Sequence, residues 1–208
     1  MRKKTIILFF LLVPIVELLF YSCCGCDVET EKRNYSHKAI FLKNLDNSGE
    51  KVIESESLQL NKNAYGIRLY VAREKVFIAR TKHINSIFIQ SANATSCECP
   101  PEYIYFPSDS IVSIKIFTVN NFDNQHSENS DITNYFKVAH LYSNVENYVT
   151  KINHTYYSDF EDFSENGLSV DLLLMTAPTI NNFHQFKIQV KLSDGRILEE
   201  LTTEIELL

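Results

Sequence analysis

Tryptophan is absent from this 208-residue chain, and glycine and proline occur only five times each. That scarcity excludes collagen-like, low-complexity and linker-dominated sequences. Fourteen Phe and eleven Tyr describe an aromatic-rich globular core instead. Positive charge is also in short supply. Twenty Lys and Arg face 26 Asp and Glu, a net charge of −6, whereas a nucleic-acid binder carries a basic surface. GxSxG, P-loop, GxGxxG and HExxH patterns are all missing, and with them the motif signatures of the commonest hydrolases and nucleotide binders. No internal repeat is present, and the length suits one domain, or one domain with an insertion.

A single long apolar run opens the chain, in "MRKKTIILFFLLVPIVELLFYSCCGCD". Arg2, Lys3 and Lys4 form a basic start, and about a dozen apolar residues follow. A spanning helix needs roughly 20 consecutive apolar residues. Pro14 and Glu17 interrupt this run, which favours a cleaved signal peptide over residues 1–22. An uncleaved signal anchor is the alternative. Bulky Phe20 and Tyr21 do not suit an ordinary signal peptidase, but small Ser22 stands directly before Cys23. That arrangement resembles the lipobox of bacterial lipoproteins and identifies Cys23 as the residue to be lipidated, although Phe20 stands where the lipobox has Leu. Several acyl chains on one cysteine hold a protein to a membrane without spanning it. Loss of residues 1–22 removes Arg2, Lys3, Lys4 and Glu17 and takes the net charge to −8. Residues 23–36, polar and charged, read as the lipidated cysteine and a tether, and 37–208 as the domain.

Short alternating segments fill the domain. "HKAIFLKN" sets Ala39, Phe41 and Lys43 against Ile40 and Leu42, and "YGIRLYVARE" sets Ile67, Leu69 and Val71 against Arg68, Tyr70 and Ala72. In "SIVSIKIFTV", Ile111, Ser113, Lys115 and Phe117 oppose Val112, Ile114, Ile116 and Thr118. "INSIFIQSA", "LSVDLLLMT", "FHQFKIQVKL" and "RILEELTTEIELL" read as further strands, with Asp194-Gly195 as a hairpin turn in which both residues take positive φ. Strands at this spacing predict a mainly β fold, an antiparallel, immunoglobulin-like β-sandwich. Val145, Tyr148, Val149 and Ile152 instead fall at helical spacing behind Asn144 as N-cap. "SDITNYF" reads as a second helical turn, capped by Ser130. Both are expected to be packing faces on one or two short helical insertions.

Candidate catalytic groups are sparse. The six histidines have no ligand spacing. Asp123, His126, Glu128 and Asp131 make the most polar cluster, without the glycine and closing glutamate of a calcium loop. Asp159, Glu161, Asp162 and Glu165 are closely spaced carboxylates, but adjacency fixes no glycosidase geometry. Tyr156, Tyr157 and Phe160 could stack on sugar rings, with core packing as the plainer role. These residues imply no catalytic site, no metal and no cofactor.

The start with "CCGC", the middle "SANATSCECPP", the stretch "DSIVSIKIFTVNNFDNQHSENSDITNYF" and the end "LLLMTAPTINNFHQFKIQVKLSDGRILE" together resemble an uncharacterised lipoprotein family of gut Bacteroidota. Its members have about this length and a domain of unknown function. The resemblance implies a cell-envelope location, and brings no activity and no site residues. Asp27, Glu29 and Glu31 after Cys23 loosely resemble the acidic export signals of surface lipoproteins in that phylum. Asp109-Ser110-Ile111 resembles its O-glycosylation signal, with Ser110 as acceptor; a plain turn explains those three residues equally well.

Function is therefore expected to be that of a non-enzymatic cell-envelope lipoprotein, a binding, adhesion or assembly module at the outer membrane, on its periplasmic or surface face. Its partners would be the membrane, through the lipid, and an envelope protein or glycan, with no nucleic acid. A glycan-binding accessory lipoprotein using Tyr156, Tyr157 and Phe160 is the second reading.

With Cys23 lipidated, Cys24, Cys26, Cys97 and Cys99 form two pairs of equal spacing. Outside the cytoplasm four thiols favour two disulfides. A bond within Cys-x-Cys is strained, so bridges between the pairs are expected, 24–97 with 26–99 or the reverse. Four thiolates around zinc are the alternative. Protein purified from an oxidising envelope should show none of these four thiols free when denatured without reductant, and peptides around 24–26 and 97–99 should separate only on reduction. Four reactive thiols would refute the pairing; stoichiometric zinc would favour the metal.

Overall fold

Residues 30–76, 102–153 and 167–208 are described in the computed structural model. Contacts divide the chain into two compact units, Lys32–Phe77 with Ile104–Leu208, and Met1–Glu31 with Ile78–Tyr103. Of the second, only residues 30, 31, 102 and 103 are described; the first carries the β domain. The expected strand "INSIFIQSA" lies outside the described residues.

The fold is mainly β, as the alternating segments require. Its longest strands are β1 (Thr30–Asp46) and β4 (Tyr65–Val76), paired antiparallel from Asn34↔Val76 to Asp46↔Tyr65. β1 begins at Thr30, inside the stretch expected to be tether, because Asn34, Tyr35 and Ser36 already pair with β4 and Tyr35 is buried. β9 (Leu168–Leu174) takes the other edge of β4, with Arg68 opposite Asp171. β7 (Phe136–Val138) and β8 (Ser143–Asn144) follow beyond β9, while β2 (Ile53–Glu54) and β5 (Glu102–Pro107) share the free edge of β1. This makes a seven-stranded sheet. A second sheet has the order β12 (Ile197–Leu201), β11 (Phe186–Leu192), β6 (Ile111–Thr118). A third joins β10 (Phe183–His184), β13 (Ile205–Leu207) and β3 (Gln59–Leu60), the β13–β3 pair being parallel.

Alternation becomes a core here. Ile67, Leu69 and Val71 are fully buried on one face of β4, and Val170, Leu172 and Leu174 continue that face on β9. Opposite them Ile114, Ile116, Ile188 and Val190 point inward from β6 and β11 and join the same apolar cluster. Each such residue contributes about 1.5–3 kcal/mol by leaving water. Phe186 on β11 links the layers: it stacks on Tyr65 of β4 at 5.4 Å and meets Phe136 of β7 edge-on at 5.8 Å. The helix expected from Val145, Tyr148, Val149 and Ile152 is α1 (Val145–Ile152), with Val145 and Val149 in the core and the other two packed against it. Asn144 holds the N-cap position without a capping side-chain bond, because its Oδ1 accepts from Lys137 Nζ instead.

Three local expectations are corrected. Ile111 and Ile114 are both buried although they stand on opposite sides of the alternation, since pairing with β11 runs from Lys191↔Ser113 to Leu192↔Ile111 and leaves Val112 as a bulge. A bulge adds one residue and resets the faces. The turn "SDITNYF" is a 3-10 turn over Thr133–Tyr135, and Asp131 rather than Ser130 accepts the Thr133 N–H, at 3.0 Å.

At the Leu192–Arg196 hairpin only Gly195 takes a positive φ (91°); Asp194 does not, because Gly195 N–H closes the turn onto Leu192 C=O and Arg196 C=O then accepts from Leu192 N–H. That is a three-residue loop ending in a left-handed glycine, rather than a two-residue mirror turn. Gly167 also has positive φ (71°), and a Cβ there would lie 1.7 Å from Val71 O, whereas one on Gly195 meets nothing within 4 Å. Gly195→Ala should therefore cost about 1–2 kcal/mol, the left-handed penalty alone. Gly167→Ala adds a backbone clash and should cost upwards of about 3 kcal/mol. Urea unfolding of both variants checks this; equal losses would contradict it.

Candidate functional site

The outer face of the large sheet carries polar rows next to a buried apolar one, Leu45, Gly66 and Leu173. Opposed residues of antiparallel strands share a face with Cβ atoms about 4.5–5.5 Å apart, so register alone assembles rows on the outer face. One row is Phe41, Tyr70 and Ser169; the next is Lys43, Arg68 and Asp171. Arg68 Nε donates to Asp171 Oδ1 at 2.6 Å and its Nη2 to Asp171 Oδ2 at 2.8 Å, while Nη1 donates to Glu54 Oε1 at 2.9 Å. Tyr70 O–H donates to the same Glu54 oxygen. A two-bond fork is the strong, directional form of the Arg–carboxylate pair. The bond from Tyr70, and then Arg68, holds the Glu54 carboxyl below the usual range. Hydrogen bonding to Asp171 pushes the Arg68 guanidinium up, and the Glu54 contact raises Tyr70.

Beside this pair lies a cleft of about 220 Å³. Arg68 of β4 and Ser169, Val170 and Asp171 of β9 line it together with Ala139, His140 and Tyr148. It exists because β7 leaves the edge of β9 after Val138, its last contact being Ala139 N–H to Asp171 C=O at 2.8 Å. The chain then turns through Tyr142, which is exposed and takes φ 47°, a left-handed angle that bulky side chains seldom adopt.

Sequence reasoning gives none of these residues a site role; it places Arg68 on a strand and Tyr148 on a helical packing stripe. The signal was available: Asp171 interrupts the apolar run "LSVDLLLM", and Arg68 faces it from the polar side of the next strand's alternation. Of the residues it did name, Cys23, Cys24, Cys26, Cys97 and Cys99 lie outside the described residues. So do Tyr156, Tyr157 and Phe160, and Asp159, Glu161, Asp162 and Glu165. Ser110 is half-buried; its N–H donates to Ser193 Oγ at 2.9 Å and its C=O accepts from Ser193 N–H at 2.8 Å.

The neighbouring Asp109 is a buried charge. It accepts the His37 N–H on both oxygens at 3.1 Å, His37 Nδ1–H at 2.9 Å, and an Arg196 Nη2–H. Arg196 Nη1 also donates to His37 C=O at 2.9 Å. This network ties β1, at its bulge between His37 and Ala39, to the β11–β12 hairpin. Paired charges of this kind are costly to break singly. The polar loop splits. Asp123 Oδ1 caps its own turn, accepting from Gln125 N–H at 2.8 Å and from His126 N–H and Nδ1–H at 2.7 and 2.9 Å. Burial works to raise Asp123, but these bonds outweigh it and keep the carboxyl low. Tyr135 O–H reaches Asp123 Oδ2 at 3.3 Å, while Asp131 pairs with Lys115 at 3.0 Å and Glu128 stands apart from both. Among the described residues no group of three or more His, Cys, Asp or Glu is placed to hold a metal ion.

With this geometry in hand, comparison with known proteins yields one match. The family model described as "Domain of unknown function (DUF5034)" covers residues 37–203. No curated protein and no solved structure matches the chain.

Two buried histidines make stability depend on pH. His184 is fully buried between Phe122 and Phe186; its Nε2–H donates to Asn181 C=O at 3.3 Å, and its Nδ1 has no partner. Burial lowers its pKa, and burial lowers that of His37 against the pull of Asp109. In the unfolded chain both take a proton near pH 6.5, so below that pH the unfolded state binds more protons. Stability is then full above about pH 6.5 and falls as pH drops through the lowered folded values, by at most about 1.4 kcal/mol per pH unit for each group. His184→Phe should flatten the fall in unfolding free energy between pH 7 and 5 by up to one proton's worth. An unchanged slope would contradict this.

Proposed function

The chain belongs to the DUF5034 family of domains of unknown function, and from that premise we propose that it is the non-enzymatic binding module of a cell-envelope lipoprotein, engaging its partner through the outer face of the large sheet. Residues 1–22 act as the signal, Cys23 carries the lipid, and the residues after it lift the domain off the outer membrane. The lipobox-like "FYSC" and the resemblance to Bacteroidota lipoproteins support the anchor.

The observation that carries the binding role is the pre-assembled Arg68–Asp171–Glu54–Tyr70 surface with its adjoining cleft. Its groups are tied to one another, and Glu54 is held as a hydrogen-bonded carboxylate. A general acid needs a raised carboxyl pKa, so the arrangement suits recognition better than proton transfer. More than half-exposed Phe41, in the row of Tyr70 and Ser169, supplies apolar area beside it. An envelope glycan is the second reading for the partner, favoured by Tyr148 on the cleft wall.

Cys23→Ala should leave a slower-migrating precursor, abolish palmitate labelling and shift the protein out of the lipid-anchored membrane fraction. In intact cells a photo-crosslinking residue at position 41 should give adducts that the same residue at Gln189, on the outer face of β11, does not. Continued lipid labelling would refute the anchor; adducts at 189 but not at 41 would refute the face.

A further inference from the structure

We infer that the cleft beside Arg68 takes one ring of a neutral saccharide chain, an inference that rests on the outer face being the binding face. Size limits the occupant first. About 220 Å³ falls below the roughly 300–1,000 Å³ of drug-sized sites, enough for a single ring. Ser169 and His140 at its margin are exposed, so a chain can continue past them.

Charge selects against ions. Arg68 is shared by two carboxylates, Asp171 and Glu54. An anion therefore meets a guanidinium already compensated, and a cation would have to compete with that guanidinium for the same oxygens. What the pair still offers is short-range. A guanidinium has five N–H donors, and three of those of Arg68 are used. Each Asp171 side-chain oxygen accepts one bond from Arg68 and retains a further lone pair. Fixed donors and acceptors thus lie side by side, the complement of neighbouring hydroxyls that each donate and accept. The fork holds them in place before any ligand arrives, so little ordering is left to oppose binding.

The lining also includes apolar groups. Tyr148 and Ala139 supply an aromatic and a methyl surface for the C–H face of a sugar ring. A ring with hydroxyls at its rim and C–H groups on its face can use the polar and the apolar lining at once. A phosphate or a carboxylate has no C–H face for Tyr148 and Ala139.

The test uses the full lipidated chain in detergent, titrated calorimetrically with neutral oligosaccharides of glucose, xylose and mannose, and with sulfated and uronic-acid oligosaccharides. Ser169→Trp fills the cleft from an exposed position, Tyr148→Ala removes the ring, and Gln189→Trp on the second sheet is the control. At least one neutral oligosaccharide should bind. Affinity should fall roughly tenfold or more in Ser169→Trp and Tyr148→Ala and stay unchanged in Gln189→Trp, with the unfolding midpoint of Ser169→Trp near that of the parent. Binding of the charged saccharides alone, neutral binding indifferent to Ser169→Trp, or no saccharide binding at ~1 mM would overturn the inference. Position-41 adducts in cells together with any of those results would spare the face and remove only the saccharide. Neutral binding lost in Gln189→Trp instead would overturn both.

Discussion

Strand β4 is the constraint on which the rest of the domain depends. It lies inside the large sheet, paired along its length with β1 on one side and with β9 on the other. Side chains on a strand alternate, and a slip of one residue would exchange its faces. Such a slip would carry Ile67, Leu69 and Val71 into water and bury Arg68 and Tyr70 in the core. Three fully buried apolar residues at about 1.5–3 kcal/mol each make that exchange prohibitive against a typical net stability of about 5–15 kcal/mol. The register that saves the core therefore also sets Arg68 against Asp171. The Arg68–Asp171 array is a by-product of the burial that folds the protein.

The polar groups divide into two kinds by depth. On the outer face they are partly exposed and compensate one another, with hydrogen-bonding capacity to spare. At the opposite end of β1 the His37–Asp109–Arg196 network is inward, with Asp109 almost fully buried and its oxygens fully occupied. Its role is to tie strands 159 residues apart in sequence. Removing one member would strand a buried charge, a larger penalty than the pair's net contribution. The same reasoning separates the histidines: His37 and His184 are structural and acid-sensitive, whereas exposed His140 lines the cleft.

Much of the fold was legible because local alternation reports burial. The inner faces of β4, β9 and β11 and the stripe of α1 follow directly from their spacing. Bulges were not legible, since nothing in "SIVSIKIFTV" says that Val112 is skipped; that depends on its pairing with Lys191 and Leu192. The side-chain acceptor at the 3-10 turn lies one residue beyond the expected Ser130 for a similar reason, Ser130 and Asp131 both being competent acceptors. The site was missed because its members come from strands far apart in sequence: Glu54, Arg68 and Asp171 meet only after four strands, β2, β1, β4 and β9, have paired. Asp171 inside an apolar run was the one local trace. Arg68 in the adjacent strand could be matched to it only once the register was known.

The proposed binding role rests on Arg68, Asp171 and Glu54 being held together without a ligand. The Arg68 side-chain Nε–H resonance in nitrogen-labelled protein tests it most directly. Bonds of 2.6 and 2.8 Å to Asp171 predict a discrete, slowly exchanging Nε–H signal at neutral pH without ligand, lost in Asp171→Ala. A signal already averaged with solvent in the free parent protein would mean that the guanidinium is not held, and would contradict the account.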